Sequence, residues 1–221
     1  MKKMILSAIG FIFTVGGYAQ FSLGVQAIGN LSSAGLKDPY NTSFSKTMKL
    51  APGGGVVVQY DFTEKLAVRS GINYLQHAVT IKSTLDESAG LKVKIENRLH
   101  YLQVPLTVQY SIPFGTAKLY AGAGGYINYG ISGISKQTTS YIMPDEAEAV
   151  TVEKLKAFKK GADDGAGFKR VELGATALAG IRLNNGVFAN AGYQLGLTNS
   201  AEGDGNKYKN HGLQLSVGYF F

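Results

Sequence analysis

The stretch that decides the fold closes the chain: Leu213 to Phe221, LQLSVGYFF. Side chains of an extended strand alternate between its two faces. Leu213, Leu215, Val217, Tyr219 and Phe221 therefore share one side, and Gln214, Ser216, Gly218 and Phe220 the other. An apolar face that repeats every second residue and ends on an aromatic suits a strand facing lipid and finishing at the membrane–water boundary. The same pattern would serve the closing edge strand of a soluble sandwich, so the rest of the chain has to decide.

Working outward from that end, the alternation recurs. Phe21, Leu23, Val25 and Ala27 alternate with Ser22, Gly24 and Gln26 in a first strand ending near Asn30. A second runs from about Leu50 to Phe62, with Val56, Val58 and Tyr60 on one face. The third sets Leu66, Val68, Ser70, Ile72 and Tyr74 against Arg69, Gly71 and Asn73. In the fourth, Leu102, Val104, Leu106, Val108 and Tyr110 alternate with polar residues and Pro105. The fifth opposes Leu119, Ala121, Ala123, Ile127 and Tyr129 to Lys118, Tyr120, Gly122, Gly124 and Asn128. Val171 to Ile181 against Arg170, Glu172, Gly174, Thr176 and Arg182 make a sixth, and Val187 to Leu197 a seventh.

The connections alternate in length. Residues 31–48 form a loop, Thr63-Glu64-Lys65 a tight turn, and Asp86 to Gly90 the centre of a medium loop. Pro113-Phe114-Gly115 is short, 132–166 very long, and Asn184-Asn185-Gly186 a two-residue hairpin signal. Asn199 to Asn206 is a polar loop. A barrel with both ends in the periplasm keeps its short turns at one end, whereas a sandwich has no such requirement. The reading is all-β: an eight-stranded antiparallel up-and-down transmembrane β-barrel with short periplasmic turns and longer extracellular loops. Ten strands result if 132–166 inserts as a hairpin.

Lys2 and Lys3, the apolar run Met4 to Val15 and Gly17-Tyr18-Ala19 have the form of a secretory signal, with cleavage expected after Ala19. This divides the chain into a signal, 1–19, and an outer-membrane barrel domain, 20–221. The apolar run is shorter than the roughly 20 residues of a spanning helix, and no longer one follows. Mean hydropathy of +0.01 is low for a helical membrane protein and fits strands that show lipid every second residue. The 29 glycines and 24 Tyr and Phe suit crowded interiors and aromatic girdles; no cysteine is present, so no disulfide forms.

The segments Tyr101-Leu102-Gln103-Val104-Pro105-Leu106, Phe168-Lys169-Arg170-Val171-Glu172-Leu173-Gly174 and Lys209-Asn210-His211-Gly212-Leu213 to Phe221 resemble the PorT-like family of small outer-membrane β-barrels. The resemblance extends over most of the chain after the signal and implies fold and location more than activity. One family member is associated with a protein-secretion apparatus.

An eight-stranded interior is about wide enough for side chains to fill. The inward set includes Arg69, Lys118, Arg170, Glu172 and Arg182, which must be paired or hydrated. The expectation is a lumen polar network of Arg69, Arg170, Glu172 and Arg182, centred on Glu172 with Arg69 or Arg182. It would act as a stabilising plug or line a gated ion path. In 132–166, Pro144 and acids followed by Glu153 to Gly161 carry helix-end signals, so a short surface helix or an extended hairpin is expected there. That segment is the expected contact for an envelope protein partner.

Net charge is +7, and the basic residues gather on the outer side, among them Lys82, Lys92, Lys94, Arg98, Lys154 and Lys156. Anionic glycolipid head groups and outer-membrane lipids are the expected partners, with no role for nucleic acid. The barrel-assembly machinery is a further expected partner through the C-terminal lipid-facing strand. Of the three histidines, His77 and His100 fall on opposite faces, with no third ligand or serine placed beside them. No catalytic residue, metal or cofactor is expected. The function expected is a structural or interaction scaffold, with a narrow channel as the alternative and a lipid-modifying enzyme as a third class.

Overall fold

A computed structural model describes residues 20–37, 44–86, 91–141, 149–159, 165–201 and 207–221. The signal-type segment, Asp38-Pro39, the Pro144 acidic cluster, Asp163-Asp164 and Glu202 to Asp204 lie outside them. Among the described residues nine strands occur: β1 Phe21–Lys37, β2 Phe44–Asp61, β3 Leu66–Asp86, β4 Leu91–Phe114, β5 Ala117–Tyr141, β6 Ala149–Lys156, β7 Val171–Leu183, β8 Val187–Gly196 and β9 Lys207–Phe220.

Every pairing between them is antiparallel. β1 pairs with β2 on one side and β9 on the other, and the order continues through β8, β7 and β5 to β4, β3 and β2. Eight strands thus close a ring, which removes the unpaired edges an open sheet exposes. The ninth, β6, stands outside it. β5 pairs with β7 through Ala117 to Tyr129, and with β6 on the same edge farther out, Ile134 to Tyr141. The segment read as helix or hairpin is therefore a hairpin, and it projects outward instead of adding two strands to the ring.

Strand length splits the molecule into two heights. A spanning strand needs about 9–11 residues; β8 has 10 and β7 has 13. β3, β4 and β5 have 21, 24 and 25. The first strand does not end at Asn30, and β2 starts at Phe44, inside the stretch read as loop. With β2 and β6 these extensions build a five-stranded wall on one flank.

Outside the ring, Val56, Val58, Ile72, Leu106, Val108, Ile127, Leu173, Leu215 and Val217 stand exposed as an apolar belt. At the end holding the short turns, Tyr60 meets Phe21 at a tilt and Phe62 edge-on, each at 4.7 Å, and Tyr219 meets Phe221 at 5.5 Å. At the other border Tyr74 lies on His100, hydroxyl to Nδ1 2.6 Å. The belt between these aromatics is the surface a bilayer covers.

The turns explain the short end. Thr63 Oγ1 accepts the amides of Lys65 and Leu66. Gly115, φ 60°, takes the first central position of a two-residue turn, where a side chain would be strained. The third turn has three residues, not two: Gly186 N–H bonds Leu183 C=O, and Gly186 has φ 92°. That is a type I turn closed by a glycine in the left-handed region.

Candidate functional site

The inward side chains fill the lumen in layers. Nearest the short turns, Arg69 donates from Nε and Nη2 to Gln59 Oε1 at 3.0 and 2.8 Å, and from Nη1 to the Tyr120 hydroxyl at 3.3 Å. Its guanidinium also lies 5.0 Å from the Phe188 ring, across the diameter of the barrel, and 5.1 Å from Phe220. Such contacts favour a desolvated cation over an aromatic face. Arg182 donates to Ser22 Oγ at 3.3 Å, stands 3.9 Å from Asp61 Oδ2, and sits over Phe220 at 4.5 Å. Lys118 is exposed at this mouth beside Asp61 and Arg182.

The middle layer is neutral. Gln103 Nε2 donates to Asn128 Oδ1 at 3.0 Å and to Gln194 Oε1 at 3.3 Å, and Gln194 donates onward to Gln214 at 3.0 Å. Gln26 donates to Asn73 at 2.8 Å. A cavity of about 40 Å³ remains here among Gln26, Asn73, Asn190 and Gln194, room for a few waters.

Glu172 organises the top layer and is fully buried, 0% exposed. Its Oε1 accepts from Asn128 Nδ2 at 3.1 Å and the Tyr126 hydroxyl at 3.4 Å; its Oε2 accepts from Ser200 Oγ at 2.9 Å and Asn210 Nδ2 at 2.5 Å. A buried carboxyl group needs such partners, because leaving its oxygens unpaired away from water is costly.

Above Glu172 the lumen is capped by apolar groups. Ala157 is buried with Leu99 and Tyr101, and Phe158 and Phe168 pack against them. Phe158 meets Tyr101 edge-on at 5.7 Å and lies over Gly130, where a Cβ would collide with its ring. Phe168 meets Tyr208 at 5.1 Å, beside Val79 and Ile81. The backbone ties this cap into the wall: Phe168 N–H bonds Ala157 C=O, and Lys169 N–H bonds Ser200 C=O.

The four lumen residues read from the sequence are thus not one network. Glu172 is held by amides and hydroxyls, while Arg69 and Arg182 lie a layer or more below it. Arg170 is exposed at the rim, donating to Gly130 C=O at 2.9 Å, its guanidinium 5.6 Å from Phe158. The reason is height. Glu172 stands far along β7 from the Asn184–Gly186 turn, whereas Arg182 adjoins that turn and Arg69 lies near the Thr63–Lys65 turn. Counting residues from the short turns would have separated them. Leu213, Leu215, Val217, Tyr219 and Phe221 are 43–76% exposed, all on the lipid side. The sequence does not by itself assign Phe158 and Phe168 to a cap; their signal is two aromatics set in a stretch rich in charged residues and glycine.

His77 points inward against the Tyr101 ring at 5.0 Å, and His100 points outward. Among the described residues no three His, Cys, Asp or Glu side chains converge as metal ligands.

The outer face of the wall has a different character. Glu96 Oε1 accepts from Lys94 Nζ at 3.1 Å and Lys49 Nζ at 3.3 Å. The Lys94 hydrogen bond, with help from Lys49, holds the Glu96 carboxyl below the usual glutamate range. Around it stand Lys82, Lys92, Arg98, Lys136, Lys154 and Lys156.

Solved structures similar to the chain match it at low identity and with TM-scores below 0.5. Ail, the attachment invasion locus protein of Yersinia pestis, is 15% identical with a TM-score of 0.41, over 91% of this chain and 98% of its own. Neisserial surface protein A is 13% identical with a TM-score of 0.39, over 91% and 97%. OprG from Pseudomonas aeruginosa is 14% identical with a TM-score of 0.37, over 91% and 95%. No curated protein matches the chain. Residues 18–202 match the family described as outer membrane protein beta-barrel domain. With the ring closed, the lipid-facing belt in place and that match spanning most of its length, the chain belongs to the outer membrane protein β-barrel domain family.

Proposed function

We propose that this protein is a non-enzymatic, non-conducting scaffold that holds a tall strand wall and its rim segments at the cell surface. The observation that carries this reading is the set of contacts across the lumen. Arg69 reaches Phe188 on the opposite side, Gln103 reaches Gln194, and Glu172 gathers donors from three segments. Opposed walls tied at several levels leave side chains where a pore would need water. The deciding experiment is planar-bilayer recording with the purified full chain. The expected trace has no stable conducting steps; reproducible unitary conductance would overturn the reading in favour of a narrow channel.

The enzyme reading needs a polar catalytic cluster facing the outer leaflet. The described residues on that face are a basic field with one paired acid and, at its membrane border, the Tyr74–His100 pair, to which no described carboxylate or serine is hydrogen-bonded. Sustained turnover of a lipid substrate would contradict the scaffold reading. Export proceeds with cleavage after Ala19, so the amino terminus of protein recovered from outer membranes is expected to read Gln20-Phe21-Ser22. The PorT-like resemblance makes an envelope or secretion partner the natural ligand of the segment 132–166.

A further inference from the structure

The geometry points to the outer face of the β3–β6 wall as a binding surface for the phosphate groups of outer-leaflet glycolipid head groups. This rests on the reading above that the wall rises from the external side of the membrane.

The face is fixed by the strand register. From the lipid-facing Leu102, the same side of β4 continues through His100, Arg98, Glu96 and Lys94 to Lys92. Neighbours on adjacent strands line up in rows. Arg98 pairs with Ile134, which pairs with Lys156; Glu96 pairs with Lys136, which pairs with Lys154; Lys94 pairs with Lys82. The opposite face of these strands carries Val79, Ile81, Ile95, Asn97, Ser135 and Glu153 at the matching positions. Among the described side chains, the wall's cations are thus all on the membrane-continuous side.

Two of the rows hold cations directly opposite each other, Lys94 with Lys82 and Lys136 with Lys154. Paired strands lie about 4.8 Å apart, and like charges at that spacing oppose folding. Among the described side chains Glu96 is the acid on this face, and Lys94 and Lys49 already occupy it. An anion seated between the rows would remove the repulsion. Phosphate fits, because an ammonium donates three hydrogen bonds and a phosphate presents several acceptor oxygens.

The position selects the source. Arg98 lies four residues beyond Leu102, about 14 Å along the strand from the apolar belt. The row beginning there is the one nearest the head-group zone outside the hydrocarbon, and Ile134 and Val152 stand exposed on the same face. A lipid anchored in the leaflet presents its phosphates at that height; a free solute does not.

The test titrates the full chain, folded in zwitterionic micelles, with bisphosphorylated lipid A, with dephosphorylated lipid A and with inorganic pyrophosphate. The bisphosphorylated lipid is expected to bind, with affinity falling as salt shortens the screening length to a few ångströms. The Lys136→Gln, Lys154→Gln, Lys156→Gln triple variant is expected to lose about tenfold in affinity. Lys65→Gln at the opposite end leaves it unchanged, and Glu96→Gln strengthens it. Equal binding of the dephosphorylated lipid, an unaffected triple variant, or pyrophosphate binding as well as the lipid would each overturn the proposal. Heat-modifiable gel migration of each variant reports the barrel separately, so failed folding and failed recognition are told apart. Should the triple variant not fold, the Lys82→Gln, Arg98→Gln pair takes its place, with a loss of about threefold expected.

Discussion

Glu172 shows what a single residue contributes to the lumen. Replacing it with Leu strands the Asn128, Asn210 and Ser200 donors in a buried site, and breaking such a network costs about 3 kcal/mol. Glu172→Gln keeps one carbonyl acceptor and is expected to cost less than half as much. Reversible denaturant unfolding in micelles measures both, and equal stability of Glu172→Leu and the natural protein would refute the account. Glu96 behaves differently because it lies outside the membrane. Its carboxyl titrates lower in the folded state than in the unfolded chain, so its contribution is present above the unfolded pKa and is lost as pH falls through the folded one. The protection factors of amides near Glu96, after correction for the pH dependence of intrinsic exchange, are expected to fall at acid pH while those of the ring hold. At this scale the sequence makes parity legible, since inward and outward follow from odd and even. Partners were not legible, because they depend on the stagger between strands. Glu172 and Arg69 share a lumen and occupy different floors of it.

Among the elements, the cap and the turns carry the sharpest expectations. Phe158 closes the lumen over Gly130 against Tyr101. Phe158→Ala is expected to lower stability by about 3 kcal/mol, since removing a packed ring leaves a cavity, without opening a conducting path through the three layers beneath. A thermal melt paired with bilayer recording tests both halves. At the turns, Gly115→Ala and Gly186→Ala share the strain of a left-handed backbone, about 1 kcal/mol each. A Cβ at Gly115 meets open space, whereas at Gly186 it runs into the Phe220 carbonyl, so Gly186→Ala is expected to cost more. The membrane portions of the strands were legible because one face is apolar. Their outer extensions were not. Ser135 to Tyr141 reads SKQTTSY, polar on both faces because neither meets lipid, and a strand wetted on two sides has the composition of a loop.

For the molecule as a whole, ring closure is independent of β6. Ile134 and Lys156 already face each other in the β5–β6 register, so replacing 135–155 by a short turn removes the projecting hairpin and leaves all eight ring strands. The shortened chain is expected to keep heat-modifiable migration and to lose most of its affinity for phosphorylated lipid. Loss of migration would show that the hairpin is needed for closure after all. The alternation of short and long connections made the ring readable from the sequence. That one flank would stand so much higher than the other was hidden in the residues that looked like loop.

The uneven height gives the protein a compass bearing. A plain cylinder looks alike from every direction within the membrane plane, but here β3 to β5 tower on one side while β7 and β8 stop low on the other. Turning about the membrane normal therefore changes what a neighbour meets: a high basic flank on one approach, a low apolar flank on the opposite. In a crowded leaflet such a body packs with a preferred heading, and rafts of it would be polar arrays with all the tall sides facing alike.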